Sequence, residues 1–520
     1  MRSIELHWLA RTKLAVIALL VLALLPSARA HRWPEYGGTL RVELHALTIS
    51  LDPREWRIGT PEFATNGKFA ALVFDRLIAL DNYGRFQPQL AREWSHDAAF
   101  KRWQFALRAN VKFSDGTAFV AADVVAALQP LLPNGQQITA SGSNVVIQSA
   151  SAMPDLLEEL ASGRFFVCRV QPDGTLMGTG PFFVAEASTD TRKSSNFAGG
   201  AIGTPHLRFR ANGETWAGRP FLDGIDVTLG VSPLRQLLDL QLRKADLVEL
   251  SPDMVRRAMQ ENLRVWSSAP VTLYGLRFDD AQLVAADAKL REALALSLDR
   301  HTMANVLLQK QAEPAAALLP QWLSGYAFLF TVEKDIERAK EIRAALPPNA
   351  AAGKEPLRLR VEAGGDLPKL LGERVAVNAR QAAIPLQVVN RAAARGSNAT
   401  ATSNDATPGL HLFAWHYSSL SSRVELESFV STLNLRESSG SLVSSTDPEQ
   451  LYAWEKKLLE ERRVLPLVVL PEYVGIGPNV RDWMPARWGE WHLADVWLTV
   501  SEASAEQRGN SNAVSPGAVP

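Results

Sequence analysis

Alternation of apolar and polar residues in the first part of the chain predicts β-strands. Leu40 to Leu44 alternates after a pair of glycines, and Trp103 to Arg108 alternates in the same way. Such alternation places one row of side chains on the core face of a sheet. Val111 to Phe113 alternates again, and the turn-forming residues Ser114 to Thr117 follow directly. We therefore expect a β-hairpin that contains Trp103 to Arg108 and Val111 to Phe113.

Apolar residues at helical spacing recur between these strands and further along the chain. Four segments carry apolar side chains three or four positions apart: Phe69 to Leu77, Ala121 to Val125, Ala286 to Gln309 and Ile336 to Leu346. This period predicts helices that bury one face. Because strands and helices follow one another without strict alternation, we expect an α/β protein of several lobes.

Two polar segments lack any such period. The run from Ala394 to Pro408 is rich in Ser, Thr, Asn and Ala, which predicts a mobile loop. The segment from Ser501 to Pro520 has no large apolar side chains apart from two valines, which predicts a disordered tail.

The first thirty residues have the pattern of a secretory signal peptide. Basic residues precede the apolar run Leu14 to Leu25, and Ala28-Arg29-Ala30 forms an A-x-A cleavage site. A membrane-spanning helix needs about 20 apolar residues, so this run is too short to be an anchor. Cleavage after Ala30 leaves His31 at the new N-terminus, where a lipid anchor would need a cysteine. We expect a periplasmic protein without a lipid anchor or a membrane span.

Composition and charge narrow the possible partners. At about 100–200 residues per domain, the 520 residues correspond to two to four folding units. The 55 basic and 55 acidic residues cancel, so there is no basic field to attract nucleic acid, and none is expected as a partner. The single cysteine, Cys168, excludes an internal disulfide and every zinc pattern with several cysteines.

Local motifs of catalysis and metal binding are absent from the sequence. It contains no HExxH, GxSxG, GxxxxGK[ST] or GxGxxG motif. His411 and His416 are five positions apart, so on a strand they face opposite sides and do not form a joint metal site. We expect no enzymatic activity, no cofactor and no metal site. A secreted hydrolase remains an alternative, because catalytic groups from distant segments leave no local motif.

A series of short motifs follows in order from residue 37 to residue 320. They are GGTLRV with LDP, FDRL with PQLAREW, the block WQFALRANVKFSDGTAFVAADVV, GTGPF, PFLDGI, LREALALSLDR, and EPA with LP. In this order they resemble family 5 of the extracellular solute-binding proteins, the dipeptide-, oligopeptide- and nickel-binding components of bacterial ABC importers. The later segment IPLQVV resembles a strand of the same family.

The resemblance implies a two-lobed α/β fold of the periplasmic binding protein kind (type II, cluster C-like), which encloses its ligand when a hinge closes. The expected parts are a signal peptide (1–30), lobe I (31–60, 178–268 and 487–500), a subdomain inserted in lobe I (61–177), lobe II (269–486) and the tail (501–520). Only 54 residues separate Asp123 from Gly178. We therefore expect a shortened subdomain and a more open pocket.

The resemblance also implies a ligand segment in the second lobe. Many peptide-binding members carry a tryptophan followed by an acidic stretch, and here the matching segment contains Trp415, His416, Tyr417 and Ser418. A serine cannot neutralise a buried ammonium group, so Glu425 or Glu427 is the candidate replacement if the loop folds back. Trp415 and Tyr417 suit the aromatic wall of a pocket, with burial in the core as the alternative.

These features predict a periplasmic binding protein that captures a small peptide or similar solute and delivers it to an ABC importer permease, as a monomer. One alternative is a different ligand in the same fold, namely a metal chelate, a haem-like molecule or a sugar. A second alternative is a degenerate member that acts as an envelope chaperone or sensor.

Processing of the N-terminus gives a direct test. Edman sequencing of the protein secreted by a bacterial host should read His-Arg-Trp-Pro-Glu, because the apolar run ends at the A-x-A site. A product that still begins at Met1 and sediments with membranes would contradict the prediction.

Overall fold

A mixed sheet of eleven strands runs through the computed structural model. The strand order is β10-β11-β12-β1-β13-β19-β14-β18-β16-β17, and β15 pairs with β19. The structure describes residues 33–161, 163–188, 205–278, 288–346, 356–361, 365–390, 409–435 and 446–499. The described residues from Tyr36 onward belong to one compact unit. The predicted signal peptide, the loop at 394–408 and the tail lie outside the described residues.

The strands have the following bounds: β1 Thr39–Glu43, β2 Ile78–Leu80, β3 Phe86–Pro88, β4 Ala91–His96, β5 Arg102–Leu107, β6 Gln136–Ser141, β7 Asn144–Ser149, β8 Arg169–Val170, β9 Leu176–Met177, β10 Phe182–Ser188, β11 His206–Ala211, β12 Gly224–Thr228, β13 Leu247–Glu249, β14 Arg264–Phe278, β15 Glu313–Pro314, β16 Leu357–Val361, β17 Leu386–Asn390, β18 Gly409–His416, β19 Val464–Ile476, β20 Val480–Arg481 and β21 Trp497–Leu498.

The α-helices are α1 Pro61–Val73, α2 Ala121–Leu128, α3 Leu156–Ala161, α4 Pro233–Gln241, α5 Pro252–Gln260, α6 Ala288–Ser297, α7 Arg300–Thr302, α8 Gln321–Ser324, α9 Ile336–Ala345, α10 Asp366–Gln381, α11 Ser422–Thr432 and α12 Pro448–Glu460. Short 3-10 turns occupy Pro53–Glu55 and Ala327–Leu329, and a π-helical turn occupies Met303–Leu307. Among the helices of the described ranges, none is both long enough and apolar enough to cross a membrane.

Two long strands join the halves of the large sheet. β14 has 15 residues and pairs along its length with the 13-residue β19. β19 continues on one side to β13 and β1, whereas β14 continues on the other side to β18 and β16. The register between them shifts around Pro270, which lies opposite Pro471. The two-lobed α/β architecture expected from the sequence is confirmed, and both lobes share this central ladder.

A smaller antiparallel sheet, in the order β4-β5-β7-β6, forms a separate layer. Its inner face carries Trp103, Phe105 and Ile147, which pack with α2 into one hydrophobic cluster. Val111 and Phe113 belong to the same cluster and are almost fully buried. The alternating pattern therefore predicted correctly which of these side chains are buried.

The predicted hairpin partner was wrong. β5 pairs with β4 and β7, and Val111 to Phe113 forms only a single bridge, between Lys112 and Ala118, around the turn at Ser114 to Thr117. Alternation reports burial on one face, but it does not identify the neighbouring strand.

The helix predicted from Ala286 to Gln309 is interrupted. α6 ends at Ser297, and the Asp299 carboxylate accepts a hydrogen bond from the Thr302 N–H to begin a new helical turn. An aspartate in this position competes for backbone donors, which favours a helix start over continuation. The helix predicted from Phe69 to Leu77 begins earlier, at Pro61 behind the N-cap Thr60, and ends at Val73. The helices predicted at Ala121 and Ile336 are confirmed.

Candidate functional site

A cleft with about 600 Å³ of unoccupied space, part of it open to solvent, lies beside the C-terminal end of β18. Helix α1 forms one wall, and the segment after β18 forms the opposite wall. The side chains and backbone that line it come from Phe63, Ala64, Gly67, Lys68, Arg76, Leu80, Gly163, Trp322, His416 to Leu420, and Trp488 to Glu490. The cleft thus draws together six separate parts of the sequence.

Backbone contacts hold the end of β18 against Gly59 and against strand β14. The His416 N–H donates to the Gly59 carbonyl at 2.7 Å, and the Tyr417 N–H donates to the Val271 carbonyl at 3.0 Å. Gly59 has a φ of +84°, and a Cβ on it would overlap the Trp415 ring. A glycine is therefore required at position 59 for both the backbone angle and the close approach.

The carboxylate of Glu425 organises the turn that follows β18. It accepts hydrogen bonds from the N–H groups of Ser418 (2.5 Å) and Ser419 (2.6 Å), from the Ser418 hydroxyl (2.8 Å) and from the Trp415 indole (3.0 Å). Glu425 is fully buried. Burial raises the pKa of Glu425, and the four donors act in the opposite direction. Its oxygens face the turn and do not reach the cleft surface.

The described Lys, Arg and Glu side chains that line the cleft each belong to an ion pair, and Glu472 is a partner from outside the lining. Lys68 lies 2.7 Å from Glu472, and Arg76 lies 2.5 Å from Glu490. Both glutamates are largely buried, yet their pKa values lie below the usual range because Lys68 and Arg76 stabilise the carboxylates against the cost of burial. The Arg76 guanidinium also donates to the Gly163 carbonyl at 3.2 Å and stacks on Phe166. Within each of the two pairs the charges cancel.

His416 is the one imidazole in the described lining. Its Nδ1 lies 3.2 Å from the Thr272 hydroxyl and 4.0 Å from a Glu472 oxygen. Burial lowers the pKa of His416 to about 4, and Lys68 adds to this effect while Glu472 opposes it. The imidazole is therefore neutral at physiological pH, and its Nε2 has no hydrogen-bond partner among the described residues. A neutral imidazole can donate, accept or bind a metal ion.

The structure separates the residues predicted as ligand contacts into two groups. His416, Tyr417 and Ser418 line the cleft. Trp415 is 2 % exposed and packs on Phe429 with ring centroids 4.9 Å apart, so it lies in the core beneath the cleft. Glu425 lies at the same depth, where it anchors the turn.

Several lining residues were missed by the sequence analysis. Lys68, Arg76, Trp488 and Glu490 come from segments far from Trp415 and were not proposed as contacts. Lys68 had a usable signal, because it directly precedes the apolar run from Phe69 to Val73 on the same helix, and the structure buries it to 6 % exposure. For the other three residues no local pattern indicates a role.

Comparison with known families gives an independent line of evidence. The chain matches the profile of the family described as "Bacterial extracellular solute-binding proteins, family 5 Middle" over residues 85–160 and 169–435, more than half of its length. It is 23% identical over 324 residues to the nickel-binding protein NikA of Staphylococcus aureus, a match that covers 59% of this chain and 61% of that protein. It is 24% identical over 401 residues to di/tripeptide-binding protein 2 of Pseudomonas aeruginosa, covering 67% of this chain and 70% of that protein.

Solved structures agree on the fold. The oligopeptide-binding protein AppA of Bacillus subtilis, in complex with a nonapeptide, superposes with a TM-score of 0.66 at 16% identity, covering 90% of this chain and all of AppA (100%). NikA of Brucella suis, in complex with Fe(III)-EDTA, gives a TM-score of 0.69 at 20% identity, covering 88% of this chain and 100% of NikA. At these identities the comparison establishes the two-lobed fold and not the ligand.

Substitution of two tryptophans distinguishes the core from the cleft. Trp415→Ala should cost about 3–5 kcal/mol of unfolding free energy, because it removes a buried ring and leaves Glu425 without one donor. Trp488→Ala should cost less stability and weaken ligand affinity by about 1–3 kcal/mol, because Trp488 lines the cleft. Urea unfolding and calorimetry with the co-purified ligand measure the two effects. Normal stability with lost binding in Trp415→Ala would place that ring against the ligand instead.

Proposed function

Because the chain belongs to family 5 of the bacterial extracellular solute-binding proteins, we propose that it captures a small peptide or a similar solute and delivers it to the permease of an ABC importer. The family consists of solute-binding proteins that are not enzymes, and we propose that this chain likewise binds its solute without transforming it. We further propose that it is secreted by its signal peptide, carries no lipid anchor and acts as a monomer outside the cytoplasm.

The paired charges and aromatic walls of the cleft carry the proposal. The described Lys, Arg and Glu side chains of the lining already have partners, and Phe63, Trp322, Tyr417 and Trp488 supply apolar surface. Such a lining holds a solute mainly through buried apolar area and through a few fixed polar groups. It accepts side chains of varied shape, which suits a binding protein for small peptides.

Direct ligand contact is proposed for His416, Tyr417 and Ser418. The Ser418 hydroxyl donates a hydrogen bond to Glu425. Its oxygen lone pairs therefore remain available to accept a hydrogen bond from a ligand. Trp415 and Glu425 are proposed to act through the turn that they hold in place. An α-ammonium group finds no carboxylate at position 418, since that of Glu425 is turned inward.

One ion-pair cluster supports ligand capture by hinge closure. Arg423, at the start of α11 and five residues after Ser418, lies 2.5 Å from Asp155 and 3.6 Å from Glu159, which belong to or adjoin α3. It also pairs with Glu427 at 2.7 Å. These contacts link the proposed inserted subdomain (61–177) to the proposed lobe II (269–486). Opening of the cleft must break them, so they stabilise the closed form.

A chelated metal ion is the second candidate ligand. The neutral imidazole of His416 leaves Nε2 available, and imidazole nitrogen is a preferred ligand of nickel and similar ions. The nickel-binding proteins among the relatives favour this class of cargo as well. In this case the chelate carries most of the coordination sphere, and the protein adds one nitrogen.

Ligand capture by the purified protein tests the proposal. Native mass spectrometry of protein that was never refolded should show a bound peptide or chelate. Readdition of that molecule should reduce the radius of gyration in small-angle scattering and raise the melting temperature by mass action. No bound molecule, and an unchanged melting temperature across peptide, sugar and metal-chelate libraries, would favour a chaperone or sensor. Turnover of a chromogenic substrate panel would favour a hydrolase.

The Arg423 cluster predicts that stability depends on pH. Burial raises the pKa of Glu159 to about 7, with Asp155, Glu427 and Glu158 adding to the rise and Arg423 opposing it. Folding therefore takes up a proton at Glu159 below pH 7, and the folded state loses stability as pH rises and the group ionises. Between about pH 5 and pH 8, wild type should lose on the order of 1–3 kcal/mol more than Glu159→Gln. Urea unfolding of both proteins measures this difference.

The control for this pH effect is Glu93→Gln, because the Glu93 side chain is 68% exposed. It should follow wild type at every pH. Parallel pH profiles for wild type and Glu159→Gln would show that Glu159 does not titrate in this range.

A further inference from the structure

A second cavity, with about 620 Å³ of unoccupied space, part of it open to solvent, shares Lys68 with the cleft described above. Glu249 at the end of β13, Tyr274 on β14, and Glu472 and Tyr473 on β19 line it, together with Trp491. Lys68 thus stands in the wall that the two cavities have in common, and its ion-pair partner Glu472 lines the second cavity. A solute held in the first cleft therefore lies next to the second cavity.

Charge in the second cavity does not balance. Lys68 and Glu472 neutralise each other at 2.7 Å. The Glu249 carboxylate accepts one hydrogen bond, from the His45 N–H at 2.8 Å, and no cation of the described chain lies within ion-pair distance of it. Burial raises the pKa of Glu249, while Lys68 acts against the rise. One part-buried carboxylate therefore lines this space without a counter-ion, and a cation that joins it offsets the cost of that burial.

The remaining walls suit a positive group. The hydroxyl of Tyr274 has no hydrogen-bond partner within the described ranges, and the Tyr473 hydroxyl donates to the Gln311 carbonyl at 3.1 Å, which leaves its oxygen free to accept. Both oxygens can accept from an N–H donor. The Trp491 ring already makes one cation–π contact, because Lys68 Nζ lies 5.0 Å from its centroid. Aromatic faces and acceptor oxygens attract cations.

We propose that this second cavity is a subsite for an ammonium or guanidinium group of the captured solute, with Glu249 as its counter-ion. The inference rests on the proposed function in one respect, because it assigns the subsite to the solute that the first cleft holds. It narrows the solute to molecules that carry a positive group, such as peptides with a basic side chain. An anionic group in this position would meet Glu249, and an uncharged one would leave Glu249 unpaired.

Simple amines test the subsite without knowledge of the natural solute. The probes are n-pentylammonium and its uncharged counterpart 1-pentanol, added to the full purified chain, with melting temperature and calorimetry as readouts. Pentylammonium should bind and raise the melting temperature, and pentanol should not. Glu249→Gln keeps the shape and the acceptor for His45, yet it should weaken pentylammonium binding by about tenfold or more. Glu93→Gln is the surface control and should bind as wild type does.

Three results would overturn the inference: no binding of pentylammonium to wild type, equal binding of pentanol, or unchanged affinity in Glu249→Gln. Should Glu249→Gln fail to fold, Tyr274→Phe removes only a hydroxyl from the same cavity and should weaken the amine by severalfold.

The two proposals fail in different ways. Capture of peptides together with indifference to amines would sink the cation subsite and leave the transport function standing. Amine binding that depends on Glu249, without capture of any peptide or chelate, would support the subsite and count against the proposed function.

Discussion

Pairing between β14 and β19 is the constraint on which the rest of this structure depends. Among the described strands, these two join the halves of the large sheet, and each lobe adds its own strands to one side of the pair. The ladder is irregular around Pro270 and Pro471, where a proline on each strand removes an amide donor. A ladder that loses hydrogen bonds at one point bends there more readily than elsewhere. The cleft opens beside this point, since the Tyr417 N–H binds the Val271 carbonyl next to it.

Buried carboxylates hold the walls of the cleft in position on this sheet. Glu425 accepts hydrogen bonds from the N–H groups of Ser418 and Ser419, which holds the backbone of the turn after β18 in place beside the cleft. Glu472 and Glu490 hold Lys68 and Arg76 in the opposite wall. Because each of these acids has a partner, its charge is compensated within the protein. Glu249 differs from these acids because it has no cationic partner among the described residues, and this difference is what indicates a positively charged ligand.

The cluster around Arg423 and the cleft also depend on each other. Helix α11 starts with Ser422 and Arg423, directly after the turn that Glu425 organises, so movement of the turn moves the guanidinium that reaches Asp155. Gly163, which follows α3, accepts from Arg76 and lies beside the Ser418 carbonyl. Closure of the cleft and formation of the Arg423 ion pairs therefore involve the same elements.

The sequence by itself determined the class of the fold, several helices and strands, and the burial of residues such as Phe105 and Phe113, because hydrophobic periodicity reports which face of an element is covered. It also pointed to the segment from Trp415 to Ser418 through a resemblance in motif order. The sequence did not identify the strand partners, as the wrong hairpin partner assigned to Val111 to Phe113 shows. Pairing depends on strands that are distant in the sequence. Only the tertiary structure decided that Trp415 and Glu425 lie beneath the cleft while Lys68, Arg76 and Trp488 line it. The ion pair that holds Lys68 in place joins residues 404 positions apart, Lys68 and Glu472. No local pattern encodes a contact over that separation.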